Sequence, residues 1–260
     1  MIIFRLTRGI GKIFLDTLQQ LGMITFFFLK VVRKIFLPPI YLRRFGKEFV
    51  NIGFYSLPVI GLTAIFTGAV LALQSYTGFS RLNAESAIAS VISISITREL
   101  GPILAGLMLS GRIASAITAE IGSMKISEQI DALYSLNIDP IRYLVVPKII
   151  MGAVCLPILV LFADVIGIFG GYLVSIYKIG FEQHSYLQKT IQYLEVRDIL
   201  SGLFKACFFG FIVSFVGCFF GCHAKNGASG VGYAATQAVV TASILILLIN
   251  YIITGLLFSQ

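Results

Sequence analysis

Uncharged apolar runs of membrane-spanning length recur along this 260-residue chain. Ile52 to Gln74 carries no charge and is about as long as a helix needs to cross a hydrocarbon core of roughly 30 Å. Four further segments share that character. Ala87 to Ser110 is broken by Arg98 and Glu99, Ile149 to Tyr177 by Asp164, and Ile199 to Cys222 by Lys205; Val231 to Phe258 is unbroken. The pattern predicts an all-α polytopic membrane protein of about five transmembrane helices.

The first fifty residues follow a different period. Phe14, Leu18, Leu21, Phe28, Val32 and Ile35 recur at helical spacing, while Asp16, Gln19, Gln20, Lys30, Arg33 and Lys34 fall on other faces. That is the pattern of an amphipathic helix lying in the membrane interface. Its continuous apolar run, Leu21 to Leu29, is too short to span, and it lacks the small-residue cleavage site of a signal peptide. A sixth span is the alternative. The chain therefore divides into a basic interfacial region, residues 1–48, and a transmembrane domain, residues 49–260.

Arg112 to Lys148 is the longest polar connection, and it carries helix signals of its own. Ser127 is placed to cap a helix beginning Glu128-Gln129, on which Ile130, Leu133 and Tyr134 share a face. Asn137 ends that helix, and Asp139 and Pro140 take the N-cap and first position of the next. The reading is a short amphipathic helix at the membrane surface within about residues 123–140; a plain solvated connector is the alternative.

Charge fixes an expected orientation. Arg5, Arg8, Lys12, Lys30, Arg33, Lys34, Arg43, Arg44 and Lys47 face only Asp16 and Glu48, which accounts for nearly all of the net +8. The positive-inside rule then puts the N-terminus in the cytoplasm and, after five crossings, the C-terminus outside. The Ser127 helix falls on the cytoplasmic side. The basic charge flanks membrane segments, where anionic headgroups are the nearer partner than nucleic acid.

Composition and motifs narrow the function classes. The chain is 57% hydrophobic and 12% charged, against roughly 25% charged in soluble domains, and its mean hydropathy is +0.92. Neither Gly11-Lys12 nor Gly46-Lys47 has the upstream Gly and following Ser or Thr of a phosphate-binding loop. His184 and His223 stand apart, and no nucleophile elbow or zinc-protease motif occurs. Cys155, Cys207, Cys218 and Cys222 lack metal-ligand spacing and read as small packing residues within spans. No catalytic residue, no metal ligand and no cofactor of the chain's own is expected. An intramembrane lipid enzyme would need a convergent site the sequence does not offer.

The intramembrane charges are the candidate chemistry, because ionisable groups facing hydrocarbon cost several kcal/mol unless they meet a cavity, a partner or water. Adjacent helical residues point about 100° apart, so Arg98 and Glu99 are poorly placed to pair with one another. Lys205 is a partner for Glu99, which leaves Arg98 for a phosphate; a purely structural ion pair is the alternative. Asp164 either joins such a network or caps polar backbone beside Gly167. Gly202, Ala206, Gly210, Ser214, Cys218 and Cys222, with Gly217 and Gly221, make a small-residue stripe for a tight helix interface, within one chain or between two. Pro58 and Pro157 are expected to kink their helices, and Gly167, Gly170 and Gly171 to loosen the third span.

Several motifs in one order resemble a known family. They are Gly68-Ala69-Val70-Leu71-Ala72-Leu73-Gln74, Arg98-Glu99-Leu100-Gly101-Pro102, Gly111-Arg112 through Gly122, Glu128-Gln129-Ile130-Asp131-Ala132-Leu133, Asp139-Pro140, Leu156-Pro157 and Gly230-Val231-Gly232 with Ala234-Ala235-Thr236. From about residue 45 onward the chain is similar to the MlaE/YrbE permeases. The resemblance implies the permease subunit of an ABC transporter in the inner membrane of a Gram-negative type cell. It further implies a homodimer, two ATPase subunits that bind ATP and Mg below it, a periplasmic lipid-binding ring of MCE-domain subunits above, and often a small STAS-domain protein. Phospholipid would move between the inner membrane and the carrier, supporting outer-membrane lipid asymmetry.

The same resemblance assigns site residues. Leu71, Gln74, Tyr76, Phe79 and Phe209, with Arg98, Glu99 and Lys205, are expected around a lipid cavity at the dimer centre. Glu128, Gln129, Ile130, Leu133, Tyr134, Asp139 and Pro140 are expected to couple the ATPase, as a coupling helix does. Some relatives carry an acid near the position of Asn250, which is neutral here. An ion-coupled secondary transporter or channel using Arg98, Glu99, Asp164 and Lys205, with no ATPase, is the alternative function.

Overall fold

The computed structural model describes residues 2–35, 37–38, 41–80, 87–225 and 227–258, without the side chains of residues 2–14, 16, 17 and 258. The expectations for Arg5, Arg8, Lys12, Phe14 and Asp16 lie outside the described side chains. The described chain is helical throughout: α1 Ile2–Ile35, α2 Leu42–Ile52, α3 Leu57–Phe79, α4 Ile88–Ser95, α5 Gly101–Leu109, α6 Ser115–Ile126, α7 Gln129–Ser135, α8 Val146–Val174, α9 Gln183–Tyr193, α10 Val196–Cys222 and α11 Gly227–Phe258.

Five stretches of this order are long and apolar enough to cross a membrane: Leu42–Phe79, Ile88–Ile126, Ile141–Ile179, Val196–Cys222 and Gly227–Leu257. The five expected spans are all present, and most are extended by further helix at their ends. Arg112 to Ile126, expected as part of a polar connection, is instead helix. A single π-turn, Ser110–Ala114, carries α5 into α6, and Ile117, Thr118, Ile121 and Gly122 of α6 are buried. The polar connection shrinks to the residues around α7.

The helix at the centre is α10. In its most apolar window 67% of residues are buried, against 22% for the first span and 17% for α11. The small-residue stripe explains this position. A Cβ on Gly210 would stand 2.1 Å from the Gly152 carbonyl oxygen of α8, so only glycine allows that approach. Gly202, Gly217 and Gly221 likewise face Thr97, Ala114 and Ile121 of the second span. The stripe therefore packs within one chain.

The glycines of α8 act against expectation. A Cβ on Gly68 of α3 would fall 1.8 Å from the Gly167 carbonyl oxygen, and one on Gly170 would fall 2.3 Å from that of Ile65. They weld the third span to the first instead of loosening it. Pro58 does not kink α3 either. It occupies the first turn, after the 3-10 turn Phe54–Ser56, where its missing N–H has no intrahelical acceptor. Pro157 does lie inside α8. Cys155 and Cys218 are buried as expected, but Cys207 is exposed on α10.

The N-terminal helix is not among the apolar spanning stretches found. Phe27 and Val31 of α1 are buried, with the Phe27 ring 5.6 Å from Phe215 and 5.7 Å from Phe219 of α10. Leu15, Leu18, Leu21, Phe26 and Leu29 remain exposed. A helix docked by one face and apolar on another is suited to lie partly in lipid.

Candidate functional site

Proline chemistry shapes the turn that carries Arg98 and Glu99. A helical proline offers no N–H to the residue four positions earlier, and its ring crowds that residue's carbonyl. Ahead of Pro102 the backbone widens into a π-turn, Ile96–Leu100, in which the Gly101 N–H bonds the Ile96 carbonyl. The Arg98 carbonyl, whose α-helical donor would be Pro102, accepts from Lys205 Nζ at 2.9 Å. The same device recurs before Pro147, where the π-turn Ile141–Val145 precedes α8. Such turns concentrate at functional positions because they re-aim side chains and free backbone groups.

Around this turn the structure assembles a polar network from three spans. Lys205 of α10 is wholly buried and donates to Glu99 Oε1 at 2.6 Å and to Thr254 Oγ1 of α11 at 2.8 Å. Thr254 in turn donates to Glu99 Oε1 at 3.0 Å, and Asn250 Nδ2 donates to Glu99 Oε2, also at 3.0 Å. Glu99 and Lys205 are thus partners, as the sequence suggested. Asn250, neutral here, still meets the carboxylate, because an amide donates where an acid would repel.

Arg98 is not left for a phosphate alone. Its Nε donates to Asp198 Oδ1 at 2.5 Å. Asp198 is 1% exposed and also closes the N-terminus of α10, where Glu195 and Asp198 form a reciprocal capping box. Sequence reasoning missed this acid, although the Glu195-x-x-Asp198 spacing was a signal for it. Asp164 does not compensate within the network. One of its oxygens, Oδ1, is buried with no hydrogen-bond partner among the described residues, and a Cβ on Gly101 would stand 2.0 Å from it.

The expected lipid residues separate. Leu71, Tyr76 and Phe79 are half-buried around a small cluster of Ala72, Ile88, Ile92 and Ile96, with the Tyr76 ring 6.1 Å from Phe181. Gln74 is exposed on the same helix. Phe209 is the correction: it is wholly buried inside one chain, against Gly106 and beside Ile246, so it serves helix packing. One turn from Lys205 on a helix buried on most sides, an aromatic side chain points inward as readily as outward.

The segment expected to couple the ATPase is also rearranged. Ser127 does not cap α7; it closes α6, its hydroxyl bonded to the Ser123 carbonyl at 2.8 Å. Glu128 takes the N-cap of α7 in the left-handed region, φ 58°. Asn137, also at φ 58°, ends the helix as expected, while Asp139 Oδ1 accepts from the Ile141 N–H at 3.1 Å and Pro140 opens the next helix. The apolar face divides, with Ile130 turned inward and Tyr134 left exposed. Ile130 packs against the core, and with Tyr134 and Pro140 it lines a cleft of ≈ 460 Å³ against Phe26, Phe27 and Lys30 of α1. Leu133 is half-buried, whereas Glu128, Gln129, Tyr134 and Leu136 are exposed, Leu136 by 70%.

A tie the sequence did not reveal holds α1 to this segment. Lys34 donates to Asp139 Oδ2, and Arg142 lies 3.8 Å from the same oxygen while bonding the Pro38 carbonyl at 2.6 Å. Burial pushes the Asp139 carboxyl up, but Lys34, the Ile141 N–H and Arg142 outweigh it and hold it below its ordinary 3.8.

Comparison with known proteins agrees with this architecture. Residues 45–256 match the family described as Permease MlaE. The chain is 52% identical over 258 residues to a probable ABC transporter permease protein of Rickettsia bellii, covering 99% of this chain and 100% of that one. It is 38% identical to a probable ABC transporter permease protein of Synechocystis, covering 84% and 83% of the two chains. It is 35% identical to the intermembrane phospholipid transport system permease protein MlaE of Haemophilus influenzae, covering 82% of each. Five spans, the matching motifs from end to end and these relatives together make the chain a member of the MlaE family of ABC transporter permeases.

Proposed function

We propose that this permease moves phospholipid between the inner membrane and a periplasmic MCE-domain carrier, so supporting outer-membrane lipid asymmetry. It works as a homodimer, with ATP and Mg bound by separate ATPase subunits docked around α7, and with a STAS-domain protein as a further partner. The N-terminus is cytoplasmic and the C-terminus periplasmic. Similarity to the Haemophilus influenzae phospholipid transport permease supports the substrate class.

The observation that carries the mechanism is the network around Glu99. A carboxylate and an ammonium held by three spans, beside a π-turn in an otherwise apolar helix, give those spans a common polar hinge. The Glu99 side chain is 36% exposed and that of Arg98 is 34%, so both offer polar groups at the rim of the bundle. A headgroup meets that rim, and acyl chains follow Leu71, Gln74, Tyr76 and Phe79 along α3. The exposed face of α11, including Tyr233, Val240, Ile244 and Leu248, supplies apolar surface for lipid or a second copy.

The test is ATP-driven transfer of a labelled phospholipid from proteoliposomes holding the complete complex to its soluble carrier domain. Glu99→Gln and Leu71→Arg should each slow transfer while the assembled complex still forms. Transfer at the unmodified rate in both variants would overturn the placement of the lipid path.

A further inference from the structure

A second polar site lies at the end of the bundle that carries α7. A cavity of ≈ 240 Å³ opens between α2, α6 and the start of α8. Lys148 is 1% exposed there and donates to Glu48 Oε1 at 2.9 Å and to Glu120 Oε2 at 2.7 Å. Glu48 is itself buried, so its charge is spent on Lys148. Glu120 differs: its side chain is 44% exposed, and of its two oxygens it is Oε2 that meets Lys148.

Arg112 lines the same cavity, donating to the hydroxyl of Ser56. Among the described residues no carboxylate comes within 4.0 Å of its guanidinium. Two acids and two bases sum to zero, yet they are not matched in pairs. Lys148 takes both carboxylates and Arg112 takes neither. The cavity thus presents a surplus cation at one end and a surplus carboxylate oxygen at the other. Glu120 follows Arg112 by eight helical positions, about 12 Å along the axis.

A bound zwitterion satisfies both ends at once. Arg112 lies toward the apolar part of its span and Glu120 toward the α7 end. A phospholipid entering with its chains toward the membrane centre would bring its phosphate to Arg112 and its amine to Glu120. A guanidinium suits phosphate because its planar fork donates two parallel hydrogen bonds. A carboxylate favours a primary ammonium, which donates, over a quaternary one, which does not.

Resting on the reading that this chain handles phospholipid, we propose that the cavity is a headgroup site for phospholipids bearing a primary ammonium, drawn from the leaflet on the α7 side, with Arg112 holding the phosphate and Glu120 the amine.

The test uses the full-length chain in nanodiscs without ATPase or carrier. Asn51, exposed at the cavity mouth, is replaced by a photoreactive benzoylphenylalanine, and lipid adducts are counted by mass spectrometry. Nanodiscs containing phosphatidylethanolamine should yield more adduct than matched ones containing phosphatidylcholine. Arg112→Gln should lower capture of both roughly tenfold, the loss expected for one charge-assisted contact, while Arg112→Lys, which keeps the charge but not the fork, recovers only part of it. Glu120→Gln should remove the preference for the primary amine. Melting curves matching the parent protein confirm that each variant is folded.

Equal capture of the two lipids, or unchanged capture in both the Arg112→Gln and Glu120→Gln variants, would overturn the site. Selective capture at Asn51 without ATP-driven transfer by the complex would count against the transport reading alone. Transfer without selective capture would count against this site alone.

Discussion

Lys205 Nζ stands 2.9 Å from the carbonyl oxygen of Arg98, in the place of the N–H that Pro102 cannot supply. One buried ammonium thereby serves a backbone acceptor and the Glu99 carboxylate together. The proline and the lysine, distant in sequence, form a single structural unit.

That unit predicts an unusual rescue. Lys205→Met should destabilise the protein by about 3–5 kcal/mol, because it strands the Glu99 charge. Adding Pro102→Ala should recover about 1 kcal/mol of that loss, since it restores a donor for the Arg98 carbonyl. Unfolding of both variants in mixed micelles measures this. Equal stability of the single and double variants would separate the two residues.

Gly101 and Asp164 make a second coupled pair. A Cβ at position 101 would overlap Asp164 Oδ1 at 2.0 Å, so Gly101→Ala should lower the melting temperature. Asp164→Ala in the same chain should restore most of the loss by removing that oxygen. No restoration would mean that the Ile96 carbonyl, 2.9 Å from the same position, is the real obstacle.

The tie between Lys34 and Asp139 predicts a response to acid. Asp139 has a folded-state pKa held below 3.8, so its contribution is present above that value and lost as pH falls below it. Spin labels at Gly22 and Ser135 should report a constant separation between about pH 5 and 8 and a longer one at lower pH. Asp139→Asn should give the longer separation at neutral pH with no acid transition. An Asn variant indistinguishable from the parent would show that α1 is held by Phe27 and Val31 alone.

Ile130 on α7 and Leu136 at its C-terminal cap should behave differently. Ile130→Asp puts a charge against the core and should destabilise the chain, whereas Leu136→Asp changes a residue that is 70% exposed and should leave the melting temperature within about 1 °C. If α7 docks the ATPase, Leu136→Asp should reduce ATPase co-purification while Glu128→Ala is milder, being a solvent-screened rim contact. Undiminished co-purification with Leu136→Asp would move the docking surface elsewhere.

The sequence by itself determined the class and the number of spans, and it pointed to Lys205 as a partner for Glu99. Uninterrupted apolar runs have few alternatives in lipid, where backbone groups must be satisfied within a helix, and a buried charge demands an opposite one. Asn137, Asp139 and Pro140 were also legible, because capping depends on neighbours a few residues away. What needed long-range contacts was decided only by the tertiary structure. The direction Phe209 faces, the inward turn of Ile130, the use of the small-residue stripe within one chain, and the pairs Arg98–Asp198, Lys34–Asp139 and Lys148–Glu48 each depend on which helices become neighbours. Helical periodicity assigns a residue to a face, but packing alone decides what that face meets.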